Sequence, residues 1–191
     1  MVEHTSQVVE VHRNENWMNM EIPVIINLGC GRRKAPGEIG VDCYPGSNAD
    51  ILAEFSEGLP FADKVAEKVV CSHILEHVPD LVLLIEEIHR VLVPRGILFI
   101  EVPYFAHPDS FRDPTHRRFF TWGSFDYFVS GIRPAEYTKV VFSYRSRELI
   151  FSKSLWGIVG KLIFSLSPRR YEKYYSRIFP ANALRIELQS V

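Results

Sequence analysis

Several clusters in this 191-residue chain have the residue types and spacing for chemistry. Gly29-Cys30-Gly31 is a glycine turn, and the acids Asp42 and Glu54 follow it. Glycines let a backbone approach a ligand closely, and carboxylates accept hydrogen bonds from the hydroxyls and amino group of a nucleoside. His73-Ile74-Leu75-Glu76-His77 puts two imidazoles and a carboxylate within five residues, and Asp113-Pro114-Thr115-His116 puts an acid three residues before a histidine. Histidine can exchange a proton near neutral pH, so His73 and His116 are candidate general bases, with Asp113 placed to orient His116. H-x-x-E-H is also the inverted zinc-hydrolase motif, which needs both histidines on one helix. A predicted strand runs directly into His73 and Pro79 follows soon after, so that helix is not expected and no metal ligand is assigned.

The elements that must position these residues follow from periodicity. Val24 to Leu28 is a β-branched apolar run that ends in the glycine turn. Segments 39–42 and 50–53 read as the next strands, with Asp42 and Glu54 at their carboxyl ends, and 67–72 reads as a fourth ending in Ser72. Apolar residues at 81, 84, 85, 88, 91 and 92 give an amphipathic helix over 80–92, capped by Asp80 and ended by Pro94-Arg95-Gly96. Ile97 to Val102 is a fifth strand, so strand, helix and strand form a parallel βαβ unit. Residues 104–138 read as an acceptor-side insertion with a short helix near 124–128. A β-like segment at 140–144, a helix over 155–166 and a final strand over 183–188 complete the chain. Residues 1–20 form an N-terminal arm, and 21–191 form a single domain.

In an open parallel sheet, ligands bind beyond the carboxyl ends of the strands. A dinucleotide fingerprint needs a third glycine and an acid about 20 residues on. Here Arg32-Arg33-Lys34 replaces that glycine and Asp42 comes early, so a pyrophosphate ligand fits poorly. S-adenosylmethionine has no phosphate, and it needs close backbone approach with acids for its ribose and adenine.

Ile26-Asn27-Leu28-Gly29-Cys30-Gly31, Ile39-Gly40-Val41-Asp42, Leu59-Pro60-Phe61-Ala62-Asp63, Ser72-His73-Ile74-Leu75-Glu76-His77 and Val91-Leu92-Val93-Pro94-Arg95-Gly96 together resemble the small class I S-adenosylmethionine-dependent methyltransferases of the type-11 group. The resemblance implies an α/β Rossmann-like fold: a seven-stranded, mostly parallel sheet with helices on both faces and an antiparallel last strand. It also implies that Gly29 and Gly31 approach the methionine moiety, Asp42 binds the ribose and Glu54 faces the adenine amino group. Phe55 would line the adenine pocket, and Ser72 and His73 would lie beneath the sulfonium. Asn27 stands where the family carries an acid, so it can bond the substrate ammonium but brings no charge. Only nine residues, Gly29 to Gly37, join the first two strands, so the first crossover helix is expected to be shortened or missing. The insertion and the terminal 182–188 segment resemble a bacterial and archaeal subset associated with cell-surface polysaccharide biosynthesis.

The expected activity is methyl transfer to an oxygen or nitrogen of a small-molecule or glycan-like acceptor. The alternatives are a catalytically silent cofactor- or protein-binding module of the same fold, and the zinc hydrolase. Tyr104 and Phe105 either wall the acceptor pocket or belong to the core. Residues 1–100 carry 8 Lys+Arg against 15 Asp+Glu, and the rest carry 14 against 8, which fits a cationic cofactor in one half and an anionic acceptor near Arg112, Arg117 and Arg118 in the other. The overall balance is too acidic for a nucleic-acid partner. The apolar 155–166 helix with basic neighbours suits a peripheral membrane contact, a homodimer contact or packing on the sheet. Cys30, Cys43 and Cys71 have the spacing of reduced, buried thiols, and no secretory leader is recognised at the start, so a cytoplasmic protein is expected.

Overall fold

The computed structural model describes residues 23–55, 58–132 and 138–191; the N-terminal arm expected over 1–20 lies outside them. The apolar, β-branched runs form β1 (Val24–Leu28), β2 (Glu38–Asp42), β3 (Ile51–Leu52), β4 (Ala66–Ser72) and β5 (Leu92–Pro103), all parallel to their neighbours in this group. With β6 (Phe142–Ile150) and β7 (Ala183–Ser190) they make a seven-stranded sheet in the order β3-β2-β1-β4-β5-β7-β6. The last strand runs antiparallel to both its neighbours, as expected.

From β1 the chain moves outward through β2 and β3, then returns as β4 on the other flank of β1. This reversal of direction opens a crevice at the carboxyl ends of β1 and β4. Leu28 pairs with Val41 on one side and Cys71 on the other, so Gly29, Asp42 and Ser72 emerge together at that edge. Beneath them Ile26, Leu28, Val41, Val69, Cys71, Leu98 and Ile100 are fully buried, as central parallel strands covered on both faces require.

Helix α1 (Leu81–Val91) is capped by Asp80, whose Oδ1 accepts from Leu83 N at 3.0 Å, and it buries Leu84, Ile85, Ile88 and Val91. It ends one step earlier than expected. Leu92 is already extended, and Pro94-Arg95-Gly96 open β5 instead of stopping the helix, with Arg95 at φ 66° where the ladder slips register. Gly29 to Gly37 hold only turns, so the first crossover helix is indeed missing. In the insertion, α2 (Asp109–Arg112) was not anticipated, and the short helix near 124–128 is a 3-10 turn at Asp126–Phe128.

Helix α3 (Leu155–Leu166) has the boundaries read from its sequence, and Ser154 caps it through Gly157 N. It docks through Gly157 and Gly160, where a Cβ at Gly160 would come within 2.8 Å of the Phe179 carbonyl oxygen. Phe164 packs on Trp122 and Tyr171, while Leu155, Trp156, Ile158, Leu162 and Leu166 stay exposed.

Candidate active site

A cleft of about 710 Å³ opens over the carboxyl ends of β1, β2 and β4, with Gly29, Asp42, Cys43, His73, Ile74 and His77 in its wall and Pro114, Thr115 and Arg117 reaching in from the insertion. Gly29 has φ 65°, and a Cβ there would lie 2.6 Å from Ile74 Cγ1, so this position needs glycine for both conformation and space. Gly31, at φ 52°, has open space where a Cβ would be. Asp42 is buried at the rim, where Oδ2 accepts from Gly31 N and Oδ1 from Tyr44 N, each at 2.8 Å. Each oxygen keeps a further lone pair, so two hydroxyls of a ribose could still bind here. Asp50, the other acid near the third strand, is committed to Lys34 and to Gly40 N, which leaves Glu54 exposed beside Cys43 as the acid free for a ligand.

The adjoining cleft, about 790 Å³, contains the acceptor-side candidates: His73, Glu76, His77, Glu101, Asp113, His116 and Asn182 all line it. His73 and His77 belong to both clefts. His73 follows β4 in a left-handed conformation, φ 55°, unusual for a residue other than glycine and a kind of strain that clusters at functional positions. Its N–H bonds Glu101 O at 2.8 Å, its Nδ1 lies 3.5 Å from Glu76 Oε1 and its Nε2 lies 3.6 Å from Glu101 Oε1. Glu76 is the main cause that raises the imidazole above its ordinary range; burial opposes the rise and Glu101 adds to it. Glu101 is itself held by Arg185, with Nη2 to Oε2 at 2.7 Å.

Other expected residues are placed differently. Asn27 donates from Nδ2 to Glu38 Oε2 at 2.8 Å, so its amide is used within the protein. Phe55 is buried in the core. Ser72 ends β4 exposed, outside the lining of either cleft. Asp113 does not orient His116: its Oδ1 accepts from Thr115 Oγ1 at 2.7 Å, and Thr115 Oγ1 lies 2.8 Å from His77 Nδ1. His116 is held instead by Ser110, whose carbonyl oxygen is 2.8 Å from Nδ1. Arg118 is spent on the carbonyls of Val78 and Pro79, and Arg112 pairs with Asp109, leaving Arg117 in the first cleft. Tyr104 belongs to the core, with its hydroxyl on Glu172. Cys30 and Cys71 are buried free thiols, but Cys43 is exposed beside the cleft. Burial pushes the Cys30 thiol up to about 11.

Residues 73–80 form turns, so the inverted zinc-hydrolase helix is not present. Glu101 beside His73 and Ser110 beside His116 escaped sequence reading because these contacts come from strand register and loop closure. Only the acid near the end of the fifth strand carried a signal, by analogy with Asp42.

A family profile described as "Methyltransferase domain" matches residues 33–100, from just after the glycine turn into β5. No curated protein matches the chain significantly in sequence. Among solved structures, a SAM-dependent methyltransferase from Archaeoglobus fulgidus is 18% identical, with 92% of this chain and 90% of that one covered at a TM-score of 0.56. A structure described as the complex between the Haloferax volcanii Trm112 methyltransferase activator and the putative methyltransferase is 16% identical, with 94% and 89% covered at 0.57. A SAM-dependent methyltransferase from Methanosarcina mazei is 16% identical, with 92% and 97% covered at 0.54. Identities this low establish a shared fold.

Proposed function

We propose that the chain, matched by a methyltransferase-domain profile over residues 33–100 and sharing the fold of SAM-dependent methyltransferases, is a class I methyltransferase of the type-11 group that transfers a methyl group from S-adenosylmethionine to an oxygen or nitrogen of a small-molecule or glycan-like acceptor. The observation that carries this reading is the junction of the two clefts at His73, which gives donor and acceptor a common wall. The cofactor supplies a methyl carbon on a cationic sulfur; the acceptor's lone pair forms the new bond to carbon, and the C–S electron pair stays on sulfur.

In this reading, Gly29 and Gly31 let the backbone approach the methionine portion, Asp42 receives the ribose hydroxyls and Glu54 faces the adenine amino group. Most of the rate comes from holding the two reactants in line, since correct orientation alone can replace about 7–11 kcal/mol of barrier. His73 takes the acceptor's proton, positioned by Glu76 and Glu101 on its two ring nitrogens. Asp113 acts as a positioning residue for His77 through Thr115, and His116, held by Ser110, lines the acceptor side. The test is methyl transfer to a panel of nucleotide-sugars and phosphoglycans. Transfer that disappears in Asp42→Ala supports the reading. Cofactor binding without transfer to any acceptor would make the chain a binding module of the same fold.

Helix α3 extends the proposal to location. Its exposed Leu155, Trp156, Ile158, Leu162 and Leu166, with Lys153, Lys161, Arg169 and Arg170 nearby in the chain, suit the interface of an anionic membrane and would bring the site to a lipid-linked glycan. Among the described residues no helix is long and apolar enough to cross a membrane. The free thiols fit a reducing compartment, and we place the activity in the cytoplasm.

A further inference from the structure

Glu76 is 1% exposed, and its Oε2 has no hydrogen-bond partner. A buried carboxylate oxygen left without a donor is costly, since stripping an ionised group of water demands a compensating charge or hydrogen bonds. What faces Glu76 is unusual. His116 Nε2 is 4.0 Å from Oε1, too long for a hydrogen bond, and the ring's Nδ1 is 2.8 Å from the Ser110 carbonyl oxygen. A carbonyl only accepts, so Nδ1 carries the hydrogen and a neutral His116 turns the lone pair of Nε2 toward the carboxylate.

His77 is fixed the same way. The Thr115 hydroxyl spends its proton on Asp113 Oδ1, so its oxygen accepts from His77 Nδ1 and leaves His77 Nε2 with its lone pair free. The rings of His77 and His116 meet edge to face with centroids 4.7 Å apart. One ligand atom from each of Glu76, His77 and His116 falls within 4.8 Å of the others. Two imidazoles and a carboxylate therefore lie close together, each histidine anchored through Nδ1 with Nε2 left to accept a ligand. Outer anchors of this type fix the tautomer and orientation of metal-binding histidines.

We propose that Glu76, His77 and His116 bind one divalent transition-metal ion, with zinc the best match to two imidazoles and a carboxylate. The set differs from the H-x-x-E-H motif: His116 comes from the insertion, and His73 stays outside as a neighbour of Glu76. Three protein donors leave a coordination position open, and all three line the acceptor-side cleft, so water or an acceptor oxygen would complete the shell there. The metal would also clamp the insertion to the turn after β4.

The test needs neither S-adenosylmethionine nor acceptor, so its outcome is independent of the proposed methyl transfer. The full chain is stripped with a chelator, then titrated with Zn2+ by calorimetry and with Co2+ by visible absorption. One tightly held equivalent, a tetrahedral or five-coordinate Co2+ spectrum and a higher melting temperature with Zn2+ are expected. His77→Gln and His116→Gln should each abolish stoichiometric binding. Thr115→Val keeps every ligand and removes only the anchor of His77, so it should weaken binding by about 10- to 100-fold. Substoichiometric metal in the wild-type protein would overturn the proposal. So would full affinity in both histidine variants, which would put the metal elsewhere on the chain. If a histidine variant fails to fold, Thr115→Val decides, and unchanged affinity there counts against the site.

Discussion

At the scale of single residues, the geometry divides the histidines by role. His73 has both ring nitrogens beside carboxylates and borders both clefts, whereas His77 and His116 each have one nitrogen committed to a fixed acceptor. His73→Gln is therefore expected to lower kcat by about 10² to 10⁴-fold, the usual contribution of a positioned base, and to leave cofactor affinity nearly unchanged. Steady-state kinetics with the unmethylated acceptor that the chain modifies checks this, and an unaltered kcat would remove His73 from the chemistry. Gly29→Val should instead damage cofactor binding and folding together, since its Cβ would press on Ile74 in a left-handed backbone. The glycine turn and Asp42 were legible from residue type and spacing alone. The link from Asp113 through Thr115 to His77 was not, because it joins positions 38 residues apart through loop closure, and adjacency in sequence pointed to His116.

At the scale of elements, α1 is tied to the loop before β4 through Arg90, which donates to the carbonyls of Leu59 and Phe61 and pairs with Glu87 and Asp63. The hydrogen bond from Arg90 lowers the Glu87 carboxyl below its ordinary value of 4.5, against the opposing effect of burial. A group depressed on folding stabilises the protein above its unfolded value, and that contribution is lost as pH falls through the folded value. Acid unfolding below about pH 4.5 should thus be shallower in Glu87→Gln than in the wild-type chain when followed by circular dichroism. Helix α3 makes a different prediction. Burying a large apolar side chain contributes about 1.5–3 kcal/mol, so Trp156→Ala with Leu162→Ala should weaken sedimentation with anionic vesicles by about tenfold or more. No vesicle binding by the wild-type protein, or a dimer in solution that the same pair dissolves, would assign the face to a second copy. α3 could be read to the residue because its apolar run is bounded by a serine cap and a proline. β6 was read only as far as Tyr144, because it is an edge strand whose outer positions, Arg145, Arg147 and Glu148, carry charge and mask the strand period.

At the scale of the whole molecule, the acidic first hundred residues contain the strands that build the cofactor-side cleft, and the basic remainder contains the insertion, α3 and the antiparallel closing pair. The first four parallel strands were legible because each ends in, or is followed within two residues by, a glycine, acid or histidine, and the fifth because it is a buried run stopped by Pro103. The path of residues 104–132 was not, because this stretch lacks a sustained period and is shaped by aromatic packing such as Phe120 on Phe125. In the proposed function a single S-adenosylmethionine spans Gly29, Asp42 and His73 in the cleft of the first half. Calorimetric titration of the full chain with S-adenosylhomocysteine, for wild type and Asp42→Ala, tests that claim most directly. One ligand per chain is expected for the wild type. In Asp42→Ala, loss of two hydrogen bonds to a charged acceptor, each contributing about 1.5–3 kcal/mol, should take binding beyond measurement. No heat from the wild-type chain at millimolar ligand, or equal affinity in Asp42→Ala, would contradict it.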